Sequence, residues 1–454
     1  MSKRLTRFCY REKLLRGVTI VKITGKLLTE RFSAMKSWCK RIIGIIAAMS
    51  FIVVVVGFCI SEYRAYEKYK QKISDLSVSL DNADKFCESN MPEEALNIYK
   101  EALKEISSKK EPEIYARIKN GMGECYIRLS ETNNVEENSN KAILVLENAL
   151  EVITSKKYPV EYATIMNNLG LAYSHLSTVR NQEENIRKAI EAYKASLKVR
   201  TLENYPFKYS ETQNNLGCAF STLAEVKDAK ENLINAISSF EAALRVRLTS
   251  INLTWVLNNL GIAYEDLYEL QDTVKNLENA INIYKKALKA ITIEEYPSEY
   301  SKILNNLGTA YRELSIVKDK EDNLNKAILV FKDALKIDTF NESPISYARI
   351  QNNLGACFCF LADVRNKEEN LLKAIEAHQI SLKVRTIKNY PIMYASTQYY
   401  LGSAFYKLSE IKNREENLKN AICAYQEALK IFTADKYSRL YEKVKLDLEK
   451  INIR

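Results

Sequence analysis

The strongest constraint on this fold is a short motif that recurs at a nearly constant interval. Five copies read NNLG, then two residues and Tyr or Phe, and weaker copies lie at 120–126 and 399–405. Successive central glycines are 47, 47, 44, 47, 47 and 47 residues apart. Such self-similarity predicts a solenoid built by stacking one structural unit. The repeat glycines are Gly123, Gly170, Gly217, Gly261, Gly308, Gly355 and Gly402.

Each unit has the periodicity of two antiparallel helices. Apolar residues three or four apart form one stripe behind Pro159, which suits the first turn of a helix. Gly170 falls in the middle of this helix, which predicts that the second helix packs closely against it. Asn181 and Glu184 predict a second helix that opens with a reciprocal N-cap. Similar pairs are Asn134/Glu137, Asp228/Glu231, Asp319/Asp322, Asn366/Glu369 and Asn413/Glu416.

The order of these residues resembles the tetratricopeptide repeat. One copy carries the pattern as Leu307-Gly308, Tyr311, Ala327, Phe331, Ala334 and Pro344. The first copy has the compact spacing of the family, whereas the other seven are long variants of 44–47 residues. The resemblance implies an all-α, right-handed superhelical solenoid of about eight antiparallel helix pairs over residues 61–436. Residues 437–454, which are rich in charge, are predicted to form a helix that caps the solenoid.

Residues 42–60 predict a single transmembrane helix. They contain no charged residue over 19 positions, a length of roughly 28 Å as a helix. A buried core helix rarely runs this long without a polar face, and the run is too long for a cleaved signal peptide. The lipid bilayer is therefore an expected partner of residues 42–60, with residues 1–41 as a basic tail before it.

The flanking charges predict the orientation. Residues 22–41 carry six Lys or Arg and residues 61–80 carry four. The positive-inside rule then places the N-terminus in the cytoplasm and the solenoid outside it. The alternative is a cytoplasm-facing docking receptor, or a regulatory arm of a membrane-associated complex, which the unpaired cysteines beyond residue 80 favour. Translation from Met35 would leave a shorter anchor, so the start stays open between Met1 and Met35.

Charge and composition argue against several classes of function. The formal charge is +10, but residues 1–41 hold twelve basic and two acidic residues, and the remainder is neutral. A nucleic-acid-binding domain should concentrate positive charge, so none is expected. Two histidines and nine scattered cysteines predict neither a metal site nor a disulfide framework, and the cysteines are interpreted as packing residues. No catalytic grouping is visible, so we expect no enzyme activity, cofactor or small-molecule substrate.

The tetratricopeptide resemblance implies a concave groove, lined by the first helix of each unit, that binds a peptide or partner protein. An asparagine recurs immediately before each Leu-Gly pair, and a carboxamide can pair with both N–H and C=O groups of an extended peptide. An equally open alternative is that these amides form hydrogen bonds inside the solenoid. This set, called here the asparagine ladder, is Asn168, Asn215, Asn259, Asn306 and Asn353.

Three further residues are candidates for partner binding because they lie on the predicted groove stripe. Lys302 and Arg349 are consecutive cations there, in neighbouring units. Trp255 lies in the unit that is three residues short and lacks the Tyr-Pro pair of most other units. Its indole either fills the space left by that pair or provides an exposed aromatic anchor for a ligand.

Overall fold

The computed structural model describes the backbone of residues 2–271 and 274–452, and the side chains of residues 24–271 and 274–451. These residues form seventeen α-helices and no β-strand. The helices are α1 (Ser2–Glu88), α2 (Pro92–Lys104), α3 (Pro112–Thr132), α4 (Val135–Leu150), α5 (Pro159–Ser177), α6 (Gln182–Leu197), α7 (Pro206–Ala224), α8 (Ala229–Ala243), α9 (Ser250–Gln271), α10 (Val274–Ala290), α11 (Pro297–Val317), α12 (Lys320–Ile337), α13 (Pro344–Leu361), α14 (Lys367–Leu382), α15 (Pro391–Ser409), α16 (Arg414–Leu429) and α17 (Ser438–Asn452).

The chain divides into two compact units, Met1–Asn82 and Ala83–Arg454. The first unit contains helix α1 up to Asn82, and the last turns of α1 belong to the second unit. The Thr24–Glu88 part of α1 contains one segment long and apolar enough to cross a membrane, by length and composition. The large apolar side chains of this segment lie on the protein surface, as at Phe51. The side chains of the first 23 residues of the predicted basic tail lie outside the described residues.

The second unit is a stack of antiparallel helix pairs, which confirms the predicted all-α solenoid. Seven pairs run from α3/α4 to α15/α16; the end of α1 and α2 precede them, and α17 packs on α16 at the other end. Each first helix from α3 to α13 also contacts the first helix of the next pair. Within the described residues no such contact joins successive second helices, so the first helices form the inner, concave row.

The repeat glycines allow close packing inside each pair. A Cβ atom added to Gly170 would lie 2.6 Å from the ring of Tyr193, which is buried on the second helix of the same pair. In the α13/α14 pair, Gly355 meets the ring of His378 in the same way, at 2.8 Å. Alanine at either position would force the ring to shift. The close approach expected at Gly170 is therefore confirmed. From α5/α6 to α15/α16 a ring packs against the repeat glycine of each pair, whereas in α3/α4 the side chain of Leu146 packs against Gly123.

The predicted reciprocal N-caps are wrong. Asn181 begins α6 in the left-handed conformation, with φ 43°, and its side chain makes no capping hydrogen bond. Asn and Asp tolerate this conformation better than other non-glycine residues, so the residue turns the chain between helices instead. The Nδ2 of Asn185 donates to the carbonyl oxygen of Arg180 at 2.7 Å and closes the turn. Equivalent left-handed residues are Asn134, Asp228, Asp319, Asn366 and Asn413.

Candidate functional site

The asparagine ladder joins neighbouring first helices of the inner row. Each ladder residue is half-buried and donates through Nδ2 to the Oδ1 of an asparagine on the preceding first helix. Each acceptor is the asparagine immediately before the Asn-Leu-Gly sequence of its unit or, in the case of Asn120, at the equivalent position of a weaker copy. Most of these acceptors are buried. The bonds are Asn168–Asn120 at 3.0 Å, Asn215–Asn167 at 3.5 Å, Asn259–Asn214 at 3.2 Å, Asn306–Asn258 at 2.9 Å and Asn353–Asn305 at 3.0 Å.

These bonds leave part of each carboxamide available. A primary amide has two N–H donors and an oxygen with two lone pairs, and the inter-repeat bond uses one N–H. Asn306 also accepts a hydrogen bond from Asn305 at 3.4 Å. The ladder therefore has a structural connection between repeats and unused hydrogen-bonding capacity on the inner row. Its role in partner binding remains a prediction.

Trp255, Asn259 and Lys302 meet at one cavity of about 400 Å³, called here the Trp255 cavity. The indole of Trp255 is 51% exposed, so it fills the space of the missing Tyr-Pro pair only in part. The side chain of Lys302 comes from the next first helix, is exposed, and makes no ion pair with any residue that the structure describes. The remaining lining residues are Asn214, Thr254, Asn258, Ser298, Glu299 and Ile303.

Arg349 lies one repeat further on, at the same position as Trp255 and Lys302, six residues before a repeat glycine. Its guanidinium is half-buried, and its Nε has no hydrogen-bond partner. Burial lowers the pKa of Arg349, and the charge of Asp338 only partly opposes this shift. Because no ion pair to Arg349 exists within the described residues, its charge is only weakly compensated by the protein.

Arg385 is a second cation beside Arg349, and sequence reasoning missed it. Arg385 is only 6% exposed, and burial together with the charge of Arg349 lowers its pKa to about 10. Its Nη1 donates to the Thr397 hydroxyl at 3.1 Å, while its Nε is unpartnered. The sequence feature that could have identified Arg385 is its position, seventeen residues before a repeat glycine, where most other units have an apolar side chain. Those side chains are Ile106, Ile153, Leu244 and Ile291.

A half-buried acid on the inner row, Glu265, was also missed. Glu265 lies four residues after Gly261 and accepts a short hydrogen bond from the Tyr284 hydroxyl. Burial raises the pKa of Glu265 to about 8, and the charge of Asp266 adds to the shift. The signal was a carboxylate at a position that is Ser174 in an earlier unit. Over the residues whose side chains are described, no group of three or more His, Cys, Asp or Glu could hold a metal ion.

Comparisons with known proteins agree with this architecture. A family model described as tetratricopeptide repeat matches residues 253–291. The apo form of RapI has a TM-score of 0.50 at 13% identity, covering 83% of this chain and 97% of RapI. A tetratricopeptide repeat protein from Parabacteroides merdae has a TM-score of 0.42 at 14% identity, covering 73% of this chain and 99% of that protein. A search of curated proteins finds no match.

Together, the stacked helix pairs, the glycine–ring contacts and the inner row define a helical-repeat solenoid. The matched residues correspond to α9 and α10, the pair that carries Trp255. Residues 253–291 are similar to the tetratricopeptide repeat family, and the fold of the chain is similar to that of RapI. Solenoids of this kind present extended concave surfaces, which is where the Trp255 cavity lies.

Proposed function

We propose that this protein is a membrane-anchored scaffold whose solenoid binds an extended peptide, or an extended segment of a partner protein, along the inner row. The observation that carries this proposal is the Trp255 cavity. A half-exposed indole, a cation without an ion pair and ladder carboxamides meet there from neighbouring first helices. No catalytic step is part of the proposal.

The Trp255 cavity combines the three kinds of contact that peptide recognition uses. Aromatic side chains such as Trp255 are the commonest binding hot spots, because they bury a large area with little loss of conformational entropy. The Nδ2 of Asn259 also donates to the Sγ of Cys218, at 3.4 Å, so its Oδ1 is the group that can accept a hydrogen bond from peptide backbone. Lys302 adds a positive charge at the rim. The expected ligand therefore has an apolar side chain at Trp255 and extended backbone beside it.

The next repeat favours a ligand that also carries negative charge. Lys302 and Arg349 occupy the same position in consecutive repeats, and Arg385 lies beside Arg349. Neighbouring helices pack about 8–10 Å apart, so one extended segment can span the Trp255 cavity and the two arginines. A carboxylate there would compensate charges that the protein leaves unpaired. We infer an acidic ligand on this ground.

Binding can be tested by photocrosslinking and pulldown from membranes. Trp255→Ala should reduce partner capture at least tenfold and leave the helical melting curve nearly unchanged, since the indole is half-exposed. The matched control is Leu329→Ala, which removes a 63% exposed apolar side chain from the second helix α12. A large fall in melting temperature for Trp255→Ala, with capture unchanged, would favour a packing role for the indole.

The contribution of the asparagine ladder is tested in the same assay. Asn259→Ala removes a carboxamide that lines the Trp255 cavity, whereas Asn168→Ala removes one from the other end of the ladder. If the ligand lies at the cavity, only the first change weakens capture. Equal capture by both variants and the unchanged protein would assign the ladder a purely structural role.

The membrane anchor and its orientation are part of the same proposal. The exposed apolar surface of residues 42–60 needs an apolar environment, which a bilayer supplies. The charge difference across this segment supports a solenoid outside the cytoplasm. Protease protection in sealed membrane vesicles of known sidedness tests it. In vesicles whose cytoplasmic face points outward, the protease should leave the solenoid intact. Digestion of the solenoid in those vesicles would instead establish the cytoplasm-facing docking receptor.

A further inference from the structure

Two cysteines from different helices meet at the first end of the solenoid unit. Cys87 is in the last turn of α1 and Cys125 is in the middle of α3. Their sulfur atoms are 3.1 Å apart, and both side chains are buried, with 3% and 0% exposure. A disulfide bond requires a separation of about 2.0 Å, so the two sulfur atoms need to approach each other by about 1 Å to form one.

Packing alone does not require a sulfur at residue 125. Cys125 lies two residues after its repeat glycine, and five other repeats have alanine at this position. Cys357 occupies the same position in another repeat, is equally buried, and has no sulfur partner within the described part of the chain. The residue opposite Cys357 is Arg312, whose charge lies near its thiol. The alanines are Ala172, Ala219, Ala263, Ala310 and Ala404.

The surroundings make the two thiols chemically unequal. The pKa of Cys87 lies below its ordinary value, chiefly because Cys125 donates a hydrogen bond to its sulfur, and the nearby guanidinium of Arg128 adds to this. Burial and the Glu124 carboxylate act in the opposite direction. The same hydrogen bond and burial raise the pKa of Cys125. The thiolate is the attacking species in exchange reactions. Cys87 lies at the end of α1, whereas Cys125 is fully buried within α3, so Cys87 is the nucleophile of the pair.

We propose that Cys87 and Cys125 form a dithiol site that is converted to a reversible disulfide by thiol–disulfide exchange, fastening the end of α1 to α3. The Cys87 thiolate attacks a low-molecular-weight disulfide such as oxidised glutathione, which releases one glutathione thiolate. Cys125 then loses its proton and attacks the Cys87 sulfur, releasing the second glutathione. The two cysteines lose two electrons, and the oxidant is reduced to two thiols.

The position of the site explains what the crosslink does. Terminal repeats of a solenoid contact a neighbour on one side only, so they open more readily than inner repeats. Such opening gives the oxidant access to the two buried sulfurs. Once formed, the crosslink holds the end of α1, which precedes α2, against the α3/α4 pair. It also requires an oxidising compartment, where structural disulfides persist.

The test uses the full-length chain in detergent, equilibrated with defined ratios of oxidised and reduced glutathione. Free thiols are then alkylated, and peptides are mapped by mass spectrometry. We expect a Cys87–Cys125 crosslinked peptide. Cys125→Ala should abolish the crosslink without loss of folding, since alanine is the usual residue there. Cys357→Ala, the matched control at the same repeat position, should retain it.

A second measurement distinguishes two reasons for a missing crosslink: that glutathione cannot reach the buried sulfurs, or that the two sulfurs are wrongly positioned. The protein is also unfolded and refolded in the same glutathione buffers, so both sulfurs are exposed before they pack. A crosslink formed only on refolding still supports the site. Full alkylation of both cysteines after refolding, or crosslinks shared indiscriminately with the exposed Cys218 and Cys423, overturns the proposal. Hydrogen exchange of α2 should slow at least tenfold in the crosslinked protein and not in Cys125→Ala.

Discussion

Arg200 and Arg385 occupy the same position in two repeats, seventeen residues before a repeat glycine, yet their surroundings differ. Arg200 donates to the hydroxyls of Thr212 and Thr164, at 3.0 and 3.2 Å. Arg385 keeps the equivalent of the first bond, to Thr397, but Arg349 stands where Thr164 would be. One buried arginine has two neutral acceptors, and the other has one acceptor and a neighbouring cation.

The difference continues beyond the arginines. The Thr212 hydroxyl donates to Asn167, which links Arg200 to the asparagine ladder, whereas the Thr397 hydroxyl donates to the backbone oxygen of Met393. The repeat architecture can therefore accommodate a buried arginine with its own groups alone. At Arg385 it leaves positive charge uncompensated, as expected at a site that an anionic ligand completes. The first region shows a buried arginine that the protein itself satisfies, and the second is the region where we propose that an acidic ligand binds.

The largest expected effect is on stability, when the threonine acceptors are removed. Thr397→Val leaves the buried charge of Arg385 without a hydrogen-bond partner and should cost about 3 kcal/mol. Thr212→Val should cost about 1 kcal/mol, because Arg200 keeps Thr164. Region-resolved hydrogen exchange measures the two losses of stability separately, because solenoid repeats open locally and the two threonines lie in different repeats. Equal losses would show that the second acceptor of Arg200 is immaterial.

Acidification should weaken the α13–α15 region strongly and the α5–α7 region less, because burial also lowers the pKa of His175 in α5. Burial, with the charge of Arg385, lowers the pKa of His378 to about 3, whereas Tyr193 occupies the same position in α6. The folded state then binds fewer protons than the unfolded state between pH 3 and 6.5, so stability falls as pH drops below 6.5. The loss at pH 5 is about 2 kcal/mol.

Hydrogen exchange at pH 7 and pH 5 checks this prediction, after correction for intrinsic exchange rates. His378→Phe, which places the ring found at Phe240 and Phe331, should remove the pH dependence of the α13–α15 region and leave that of the α5–α7 region unchanged. A pH dependence of the α13–α15 region that survives in this variant would assign the effect to other groups.

A reciprocal exchange tests the two environments directly. Arg349→Thr should stabilise the ligand-free α13–α15 region by about 1 kcal/mol, since it removes a like charge and supplies an acceptor. Thr164→Arg should destabilise the α5–α7 region by a similar amount. Inorganic sulfate should raise the melting temperature of the unchanged protein more than that of Arg349→Thr. Equal responses to sulfate would count against an anion site at the two arginines.

The smallest effect concerns the ladder. Asn306→Ala leaves the buried Oδ1 of Asn258 without its 2.9 Å donor and should cost about 1 kcal/mol. Asn215→Ala should cost about half as much, because its bond is 3.5 Å long and Asn167 still accepts from Thr212. Urea titration of each variant gives the comparison. A larger cost for Asn215→Ala than for Asn306→Ala would show that the hydrogen bond from Thr212 does not compensate Asn167 for the lost donor.

The period of the sequence was sufficient to predict the fold, because each unit repeats the same contact. Each of the seven units has one repeat glycine, which implies one close approach in each unit. The side chain that makes this contact stands at a fixed distance along the chain, as Tyr193 does from Gly170, and it is a ring in every unit except that of Gly123, where it is Leu146. The caps were predicted wrongly, because the spacing of Asn181 and Glu184 fits two geometries. Only the backbone conformation distinguishes a capping residue from a left-handed turn residue.

The site was predicted in part. Trp255, Lys302 and Asn259 were selected as exceptions to the repeat or as members of a recurring set, and they line one cavity. Arg385 and Cys87 were not selected, because each matters through a partner in another repeat. The distance from Arg385 to Arg349, or from Cys87 to Cys125, depends on how consecutive units stack, and a single unit contains no information about it.

The inter-repeat bonds of the ladder have an evolutionary consequence. Every donor finds the same chemical group in the preceding unit, so removal or duplication of one whole unit would recreate an equivalent junction. The unit with a three-residue deletion already keeps its bonds on both sides, at 3.2 and 2.9 Å. A gene for such a protein can therefore lengthen or shorten its binding surface in single steps, without redesigning an interface each time.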